Sequence, residues 1–298
     1  MNTPPKLHLH ADDFGMTDYS NEKILDCARS GGLNGISLLP DGQALPETLP
    51  EGLFCCIHLD LVEGKAVSRP EEIPLLADEN GFFRNSFVQL LQKSLAGSRS
   101  AFAAQLRLEI RNQLLRIRPL IPEGGAVGLD SHQHTHMIPL VMSALLDLAE
   151  ELRLPVAYVR IPAEPLLPFL RHPSLWCTYR PVNLVKSLVL RTLFLFSSGR
   201  YRRSGIPTQV FFGIMLSGNM DGRRVRLLLP DFLRIAEKRH QGLEVLFHPG
   251  AQQCAADCMD RRKSGFVSFY LSDGRKEEYA ALRSFGAAQA EGRAPRER

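Results

Sequence analysis

The residues best suited to chemistry are three histidines in the segment Asp-Ser-His-Gln-His-Thr-His, at His132, His134 and His136. If this segment is extended, the alternating side chains point to the same side of the backbone. Two adjacent carboxylates, Asp12 and Asp13, stand far away in the sequence. Because imidazoles and carboxylates are the usual ligands of divalent metal ions in proteins, the sequence predicts a metal site. The alternative is a polar loop that contains a few buried histidines.

A site of two imidazoles and one carboxylate leaves coordination positions open, which is typical of catalytic and not of structural metal centres. A metal in such a site lowers the pKa of a water molecule and polarises a carbonyl group. Asp12 and Asp13 are able to divide two roles, one binding the metal and the other taking a proton from the water. His248 precedes the turn Pro249-Gly250. It either protonates a leaving amine or only shapes that turn.

Short apolar runs alternate with helical stretches along the chain. The runs predict seven strands, at 6–11, 35–39, 53–58, 126–130, 156–160, 209–212 and 243–247. Strands separated by helices favour a parallel sheet, and without a glycine-rich phosphate turn they favour a barrel over an open nucleotide-binding sheet. The chemically interesting residues follow the carboxyl ends of these strands. In a parallel barrel those ends converge on one face, where active sites lie.

The remaining pattern predicts helices and one long loop. The helices are expected at 19–30, 86–94, 101–118, 139–153, 223–239 and 276–289. Residues 60–85 are rich in Pro, Glu and Gly without a clear period, so a long loop is expected there. Since no repeat or linker stands out, we predict a single domain over 1–298. Its barrel core covers about 6–250 and a C-terminal extension covers 251–298.

Residues 182–198 are strongly apolar, and two explanations remain open. The run is interrupted by Lys186 and Arg191, and it is shorter than the roughly 20 apolar residues that span a membrane. It is either a buried helix or a helix that rests on a membrane and receives a lipid-like substrate. A basic cluster within 200–203 fits the second explanation.

The composition describes an ordinary soluble chain. It has 298 residues, 44% hydrophobic and 23% charged, with a net charge of +4. Disorder is therefore disfavoured, and the mild charge gives no reason to expect nucleic-acid binding. The six cysteines do not form a pattern typical of a disulfide framework. The N-terminal segment does not resemble a secretion signal. We expect a cytoplasmic protein, or one peripheral to the inner face of the membrane.

Five segments resemble the YdjC-like carbohydrate deacetylase family, in the family's order. They are HADDFG at 10–15, CIHLDLVEGKAV at 56–67, DSHQHTHMIP at 130–139, VRIPAEP at 159–165 and FHPG at 247–250. The family includes chitooligosaccharide deacetylases and deacetylases associated with hopanoid biosynthesis. Residues 70–85 and 164–169 resemble the hopanoid-associated branch more closely.

The resemblance implies a distorted (β/α) TIM-like barrel of mostly parallel strands with one divalent metal ion, magnesium or zinc. The family's ligands correspond to Asp13, His58 and His132. Asp12 corresponds to the general base. His248 corresponds to a histidine that acts as the acid or supports the metal site. The implied reaction removes an acetyl group from an amino sugar.

The resemblance places Arg160 and Glu164 on the substrate side of the site or in its structural support. We also expect His134 and His136 near the substrate. The substrate is then an N-acetylated sugar or a glycolipid, with weak membrane contact through 182–203 and a homodimer as further expectations. Two other functions remain open, namely metal-dependent phosphoester hydrolysis and non-catalytic binding of sugar or metal.

Overall fold

Seven parallel strands form one curled sheet in this computed structural model, which describes residues 6–95 and 100–290. The strands are β1 (Leu7–Phe14), β2 (Gly35–Leu38), β3 (Phe54–Leu59), β4 (Val127–Ser131), β5 (Val156–Val159), β6 (Val210–Phe212) and β7 (Leu243–Phe247). Their order in the sheet is β5-β4-β3-β2-β1-β7-β6. The two edges approach each other where the Val159 amide donates to the Pro207 carbonyl at 3.0 Å. The predicted barrel-like α/β fold is therefore confirmed, as a half-barrel.

Helices cover the outside of the sheet and follow the predicted pattern. They are α1 (Asp18–Arg29), α2 (Phe87–Ser94), α3 (Ala101–Ile117), α4 (Pro139–Glu151), α5 (Leu167–Arg171), α6 (Pro181–Ser204), α7 (Gly222–Lys238), α8 (Ser264–Tyr270) and α9 (Asp273–Ala290). Side-chain caps at Thr17, Ser86 and Asp221 begin α1, α2 and α7. The short helices α5 and α8 were not predicted. The predicted loop at 60–85 contains the 3₁₀ turn Pro70–Glu72 and two isolated antiparallel bridges, Lys65–Phe82 and Ala77–Phe83.

β1 runs beyond its predicted end and carries both adjacent aspartates. Its pairing with β2 shifts register between Ala11 and Phe14. Within this irregularity Asp13 has a φ of 68°, a left-handed conformation that Asp tolerates better than most residues. In a regular strand, Asp12 and Asp13 would point to opposite faces of the sheet. The irregular backbone removes that constraint.

The two faces of the sheet differ in chemistry. Leu9, Ile36 and Ile57 on one face join the main core under the helices. The other face encloses a polar interior, and glycines make room for it. A Cβ on Gly35 would lie 1.9 Å from His8 Nε2, and a Cβ on Gly128 would lie 2.3 Å from Cys56 Sγ. Side chains therefore fill the interior of the half-barrel. All six cysteines are free.

The described part of the C-terminal extension packs on the same body. α9 lies against α1 and α7. Its Gly286 approaches the turn after α1 so closely that a Cβ would lie 2.0 Å from the Ser30 carbonyl oxygen. Of the proposed single domain over 1–298, residues 1–5, 96–99 and 291–298 lie outside the described residues.

Candidate active site

Asp13, His58 and His132 meet at the carboxyl ends of the strands, where the sequence predicts a metal site. Asp13 Oδ1 lies 3.2 Å from His132 Nδ1 and 3.5 Å from His58 Nε2. One ligand atom from each residue lies within 4.8 Å of the other two. All three residues are buried. β1, β3 and the turn after β4 thus bring together residues that are far apart in the sequence.

The donor set fits a divalent cation. His58 Nδ1 lies 2.8 Å from Asp130 Oδ1, so a proton on Nδ1 leaves the lone pair of Nε2 directed at Asp13. His58 Nε2 is buried and has no hydrogen-bond partner among the described residues. A cation between Asp13, His58 and His132 would satisfy this atom. Three protein ligands also leave coordination positions for a water molecule and a substrate oxygen.

The electrostatics of the cluster favour positive charge. Burial lowers the pKa of His58, but Asp12 and Asp130 more than offset this and raise it to about 10. Burial also lowers the pKa of His132, which Asp60 and Asp13 raise well above its usual value. Both raised pKa values favour the doubly protonated, positively charged imidazoles when no cation is bound. A divalent cation would replace these protons.

Carboxylates behind the two histidines fix their orientation. Asp130 contacts His58, and Glu63 Oε2 lies 3.2 Å from His132 Nε2. The Tyr270 hydroxyl donates to Glu63 at 2.7 Å. Carboxylates that contact the second nitrogen of a ligating histidine are common in metal sites. Asp130 and Glu63 lie within the sequence motifs, but the sequence does not predict their contacts. Tyr270 has no sequence signal.

The histidine segment is not extended, so the expectation that its three side chains face one side is wrong. It forms the 3₁₀ turn His132–Met137, in which Gln133 and His134 have φ values of 53° and 57°. The Ser131 hydroxyl accepts the backbone N–H of His136 at 2.8 Å. This bond curls the chain back after β4. Only His132 contacts the other two predicted metal ligands.

The other two histidines of the segment lie elsewhere in the interior. The His136 Nε2 contacts the Arg160 carbonyl oxygen at 2.8 Å, which ties the turn to the end of β5. The ring of His134 packs edge-on against Phe211, with 5.9 Å between centroids. Its Nδ1 is buried and has no hydrogen-bond partner among the described residues. His136 therefore supports the structure of the turn. His134 has a ring nitrogen, Nδ1, that no described residue contacts by a hydrogen bond.

Arg160 lies beneath the metal-ligand cluster and orients Asp12. Its Nη1 and Nη2 atoms each donate to one Asp12 oxygen at 2.9 Å. Its Nη2 also lies 2.7 Å from Asp130 Oδ2 and 2.5 Å from Glu244 Oε1. The Arg160 side chain is fully buried. Asp12 Oδ2 is 3.8 Å from His58 Nε2. Arg160 therefore holds Asp12 beside the predicted metal ligands.

Glu164 is also fully buried and connects the two edges of the sheet. Its carboxylate accepts the backbone N–H groups of Gly213 and Met215 at 2.7 and 2.9 Å. Burial raises its pKa to about 7. Arg191 donates to its carbonyl oxygen at 2.7 Å. These contacts describe structural support between the segments that follow β5 and β6.

His248 follows β7 and remains 19% exposed in its side chain. Its Nδ1 lies 3.6 Å from Glu278 Oε2, which also accepts the His248 backbone N–H at 2.5 Å. Glu278 is paired with the buried Arg275 at 2.7 Å. Burial raises the pKa of Asp13, but hydrogen bonds from His132 and His58, with a smaller contribution from the charge of His248, lower it well below its usual value. A buried carboxylate thus holds a partly exposed imidazole near the cluster.

The C-terminal extension forms one wall of the site, which sequence reasoning missed. The ring of Phe266 on α8 lies 5.2 Å from that of His132, and the ring of Phe269 lies 5.4 Å from that of His248. Both phenylalanines are partly exposed. Their spacing in sequence is typical of a helix that packs on any core, so no local signal indicates this location.

Comparison with known proteins identifies relatives of the chain. Residues 6–290 match the family described as YdjC-like protein. A carbohydrate deacetylase of Thermoanaerobacter pseudethanolicus is 29% identical over 167 residues, which cover 54% of this chain and 63% of that protein. A carbohydrate deacetylase of Danio rerio is 28% identical over 187 residues, which cover 60% of this chain and 54% of that protein. The chain therefore spans between half and two thirds of the length of these relatives.

One solved structure is similar along nearly the whole chain. It is the crystal structure of an Enterococcus faecalis protein named for cellobiose-phosphate cleavage. It is 19% identical with a TM-score of 0.60, and the match covers 98% of this chain and 95% of that one. At this identity the likeness shows the fold.

Proposed function

Because the chain belongs to the YdjC-like protein family, we propose that it is a metal-dependent hydrolase that removes the acetyl group from an N-acetylated amino sugar. The observation that carries the proposal is the meeting of Asp13, His58 and His132, with Asp12 held beside them. Relatives named carbohydrate deacetylase support the choice of reaction. The metal would be magnesium or zinc.

In this mechanism the metal, held by Asp13, His58 and His132, would polarise the amide carbonyl and make a water molecule more acidic. Asp12 takes the proton from the attacking water. Arg160 fixes the direction of the Asp12 carboxylate through two hydrogen bonds. A base held in this way needs little reorganisation when the proton moves.

His248 is the proposed acid. It is partly exposed and therefore able to reach the leaving nitrogen of a bound amide. Glu278 contacts His248 Nδ1, so Nε2 is the atom that delivers the proton to the amine. Loss of acetate and of a free amino sugar completes the reaction. We also propose that the extension belongs to the catalytic domain, because Phe266 and Tyr270 contact His132 and Glu63.

The test is acetate release from a panel of N-acetylated sugars and N-acetylated glycolipids, with and without a chelator. We expect release that the chelator abolishes and that added magnesium or zinc restores. Release of phosphate from phosphoesters in place of acetate would assign the protein to phosphoester hydrolysis. Bound metal without release of acetate from any member of the panel would favour a binding protein.

A further inference from the structure

Helix α6 buries both polar and apolar residues, including Leu190 and Leu193, and exposes a row of apolar ones. The residues of α6 that face the protein include polar ones, namely Asn183, Ser187 and Ser197. The hydroxyls of Ser187 and Ser197 are buried without a hydrogen-bond partner among the described residues. Between 182 and 196 the exposed residues other than Thr192 are apolar, namely Val182, Leu184, Val185, Leu188, Val189, Leu195 and Phe196. A surface helix normally turns such residues inward.

Exposed apolar residues also precede α6 in the sequence. Leu167, Leu170 and Trp176, just before α6, are exposed as well. We call these three residues, together with the seven exposed apolar residues of α6, the apolar face. It holds ten of the fifteen large hydrophobic side chains that are exposed in the described part of the chain. Single exposed apolar residues are ordinary, but a cluster of this kind marks an interaction surface.

The segment of sequence that carries the apolar face is basic, although Arg171 and Arg200 pair with Asp231 and Asp147 of other helices. Residues 165–220 contain seven Arg and Lys and neither Asp nor Glu, which gives them a charge of +7. Since the whole chain carries +4, the rest of it carries −3. Arg171, Arg180, Arg202 and Arg203 of this region are exposed. Basic residues that border an apolar helix face are typical of binding to anionic lipid.

The packing holds α6 on the protein surface. By length and composition Pro181–Ser204 is the one described helix able to cross a membrane, with 28% of its most apolar window buried. However, Arg200 pairs with Asp147 of α4, and Asn183 donates to the Met215 carbonyl at 3.2 Å. These contacts fix the inner side of α6 against the half-barrel. The outer side is therefore free to lie on a membrane and not to span it.

We propose that the apolar face docks on an anionic phospholipid membrane, with α6 parallel to the lipid surface. The docked helix lies next to the site, because α6 packs against the turn that carries His132. A substrate whose amino sugar is attached to a membrane lipid would thus reach the candidate active site without leaving the bilayer. This last step rests on the proposed deacetylase function, whereas membrane docking does not.

The experiment is sedimentation of the full chain with phospholipid vesicles. Vesicles of phosphatidylcholine mixed with phosphatidylglycerol should bind the protein more tightly than vesicles of phosphatidylcholine alone, and added salt should weaken the binding. Val185→Glu and Phe196→Glu should each weaken binding about tenfold or more, because each places a charge in the buried part of the contact. Val88→Glu is the matched control, since Val88 and Val185 are both 59% exposed.

Equal binding by wild type and Val185→Glu, or failure of wild type to bind the anionic vesicles, would overturn the proposal. A dimer that Val185→Glu dissociates, without vesicle binding, would also overturn it and assign the face to a second copy. Acetate release from a soluble N-acetylated disaccharide should be equal in wild type and Val185→Glu, which shows that the variant is folded. Vesicle binding without acetate release from any substrate would retain the docking proposal and refute the proposed function.

Discussion

Two layers of histidines lie inside the same half-barrel and have opposite protonation behaviour. In the upper layer, at the carboxyl ends of the strands, the pKa of His58 is raised to about 10 although burial opposes this. In the lower layer, burial together with the positive charge of Arg160 lowers the pKa of His8 to about 3. All are buried. Burial alone therefore does not decide which of them carries a proton.

The groups next to each histidine determine whether it is protonated. His58 contacts a carboxylate, whereas His8 contacts the Tyr158 hydroxyl at 3.2 Å. His10 lies 3.8 Å from Glu244 Oε1, yet its pKa is well below the usual value. Burial is the main cause, and the charges of His8 and Arg160 lower the pKa of His10 further. The Arg160 guanidinium also pairs with Glu244 at 2.5 Å and offsets that negative charge. Burial and the charge of Arg160 thus keep the lower layer neutral, whereas the carboxylates of the upper layer favour a cation.

The largest effect should come from removing a ligand of the upper layer. His58→Ala should lose the bound metal and reduce acetate release to background, because two remaining ligands bind a divalent ion weakly. Metal content by mass spectrometry and acetate release measure this. His8→Gln in the lower layer is the control and should retain metal. A full equivalent of tightly bound metal in His58→Ala would refute the ligand assignment.

The next largest effect should come from the residue that Arg160 orients. Asp12→Asn should lower turnover by about 10²–10⁴-fold and leave the metal bound, because Asp12 acts as a base and not as a ligand. Turnover and metal content measured on the same preparation separate the two roles. If the variant keeps normal turnover, Asp12 is not the base.

A smaller effect should follow from changing a carboxylate behind a ligand. Asp130→Asn should weaken metal affinity about 10–100-fold, because the amide gives weaker support to the proton on His58 Nδ1. Titration with metal in the presence of a competing chelator measures the affinity. Glu63→Gln is the corresponding change behind His132 and should act in the same direction. Unchanged affinity in both variants would show that these carboxylates do not support the ligands.

The smallest effect at neutral pH concerns the lower layer. His8 stays neutral in the folded chain but takes a proton below pH 6.5 when unfolded, so the free energy of unfolding should fall as the pH decreases from 6.5 towards 3. His8→Gln should reduce this slope by up to about 1.4 kcal/mol per pH unit. Urea unfolding at several acidic pH values measures it. The same slope in wild type and variant would contradict the lowered pKa.

Much of the site could be predicted because the carboxyl ends of adjacent parallel strands lie next to each other in the sheet. Asp13, His58 and His132 each follow an apolar run, and the sheet brings those ends together. The same reasoning fails where the backbone leaves regular geometry. A left-handed turn separates His134 and His136 from His132, and alternation in sequence does not reveal such a turn.

Contacts between distant segments were also beyond sequence reasoning. Tyr270 reaches Glu63 across 207 positions of sequence, and nothing local to either residue indicates this. The apolar run in α6 did predict a helix. Sequence periodicity shows which residues share a side of that helix, but it does not show which side packs against the rest of the protein. The structure answers that question with buried Ser187 and Ser197 and exposed Phe196.

The left-handed backbone at Asp13 restricts which residues evolution can place there. At a φ of 68° a β-branched side chain would clash with its own backbone, whereas Asn and Gly would fit. Asn has the size and shape of the Asp side chain without its charge, and Gly retains only the backbone conformation. A replacement series of Asn, Gly and Val at position 13 would therefore separate the requirement for a negative charge from the requirement for a bend in β1.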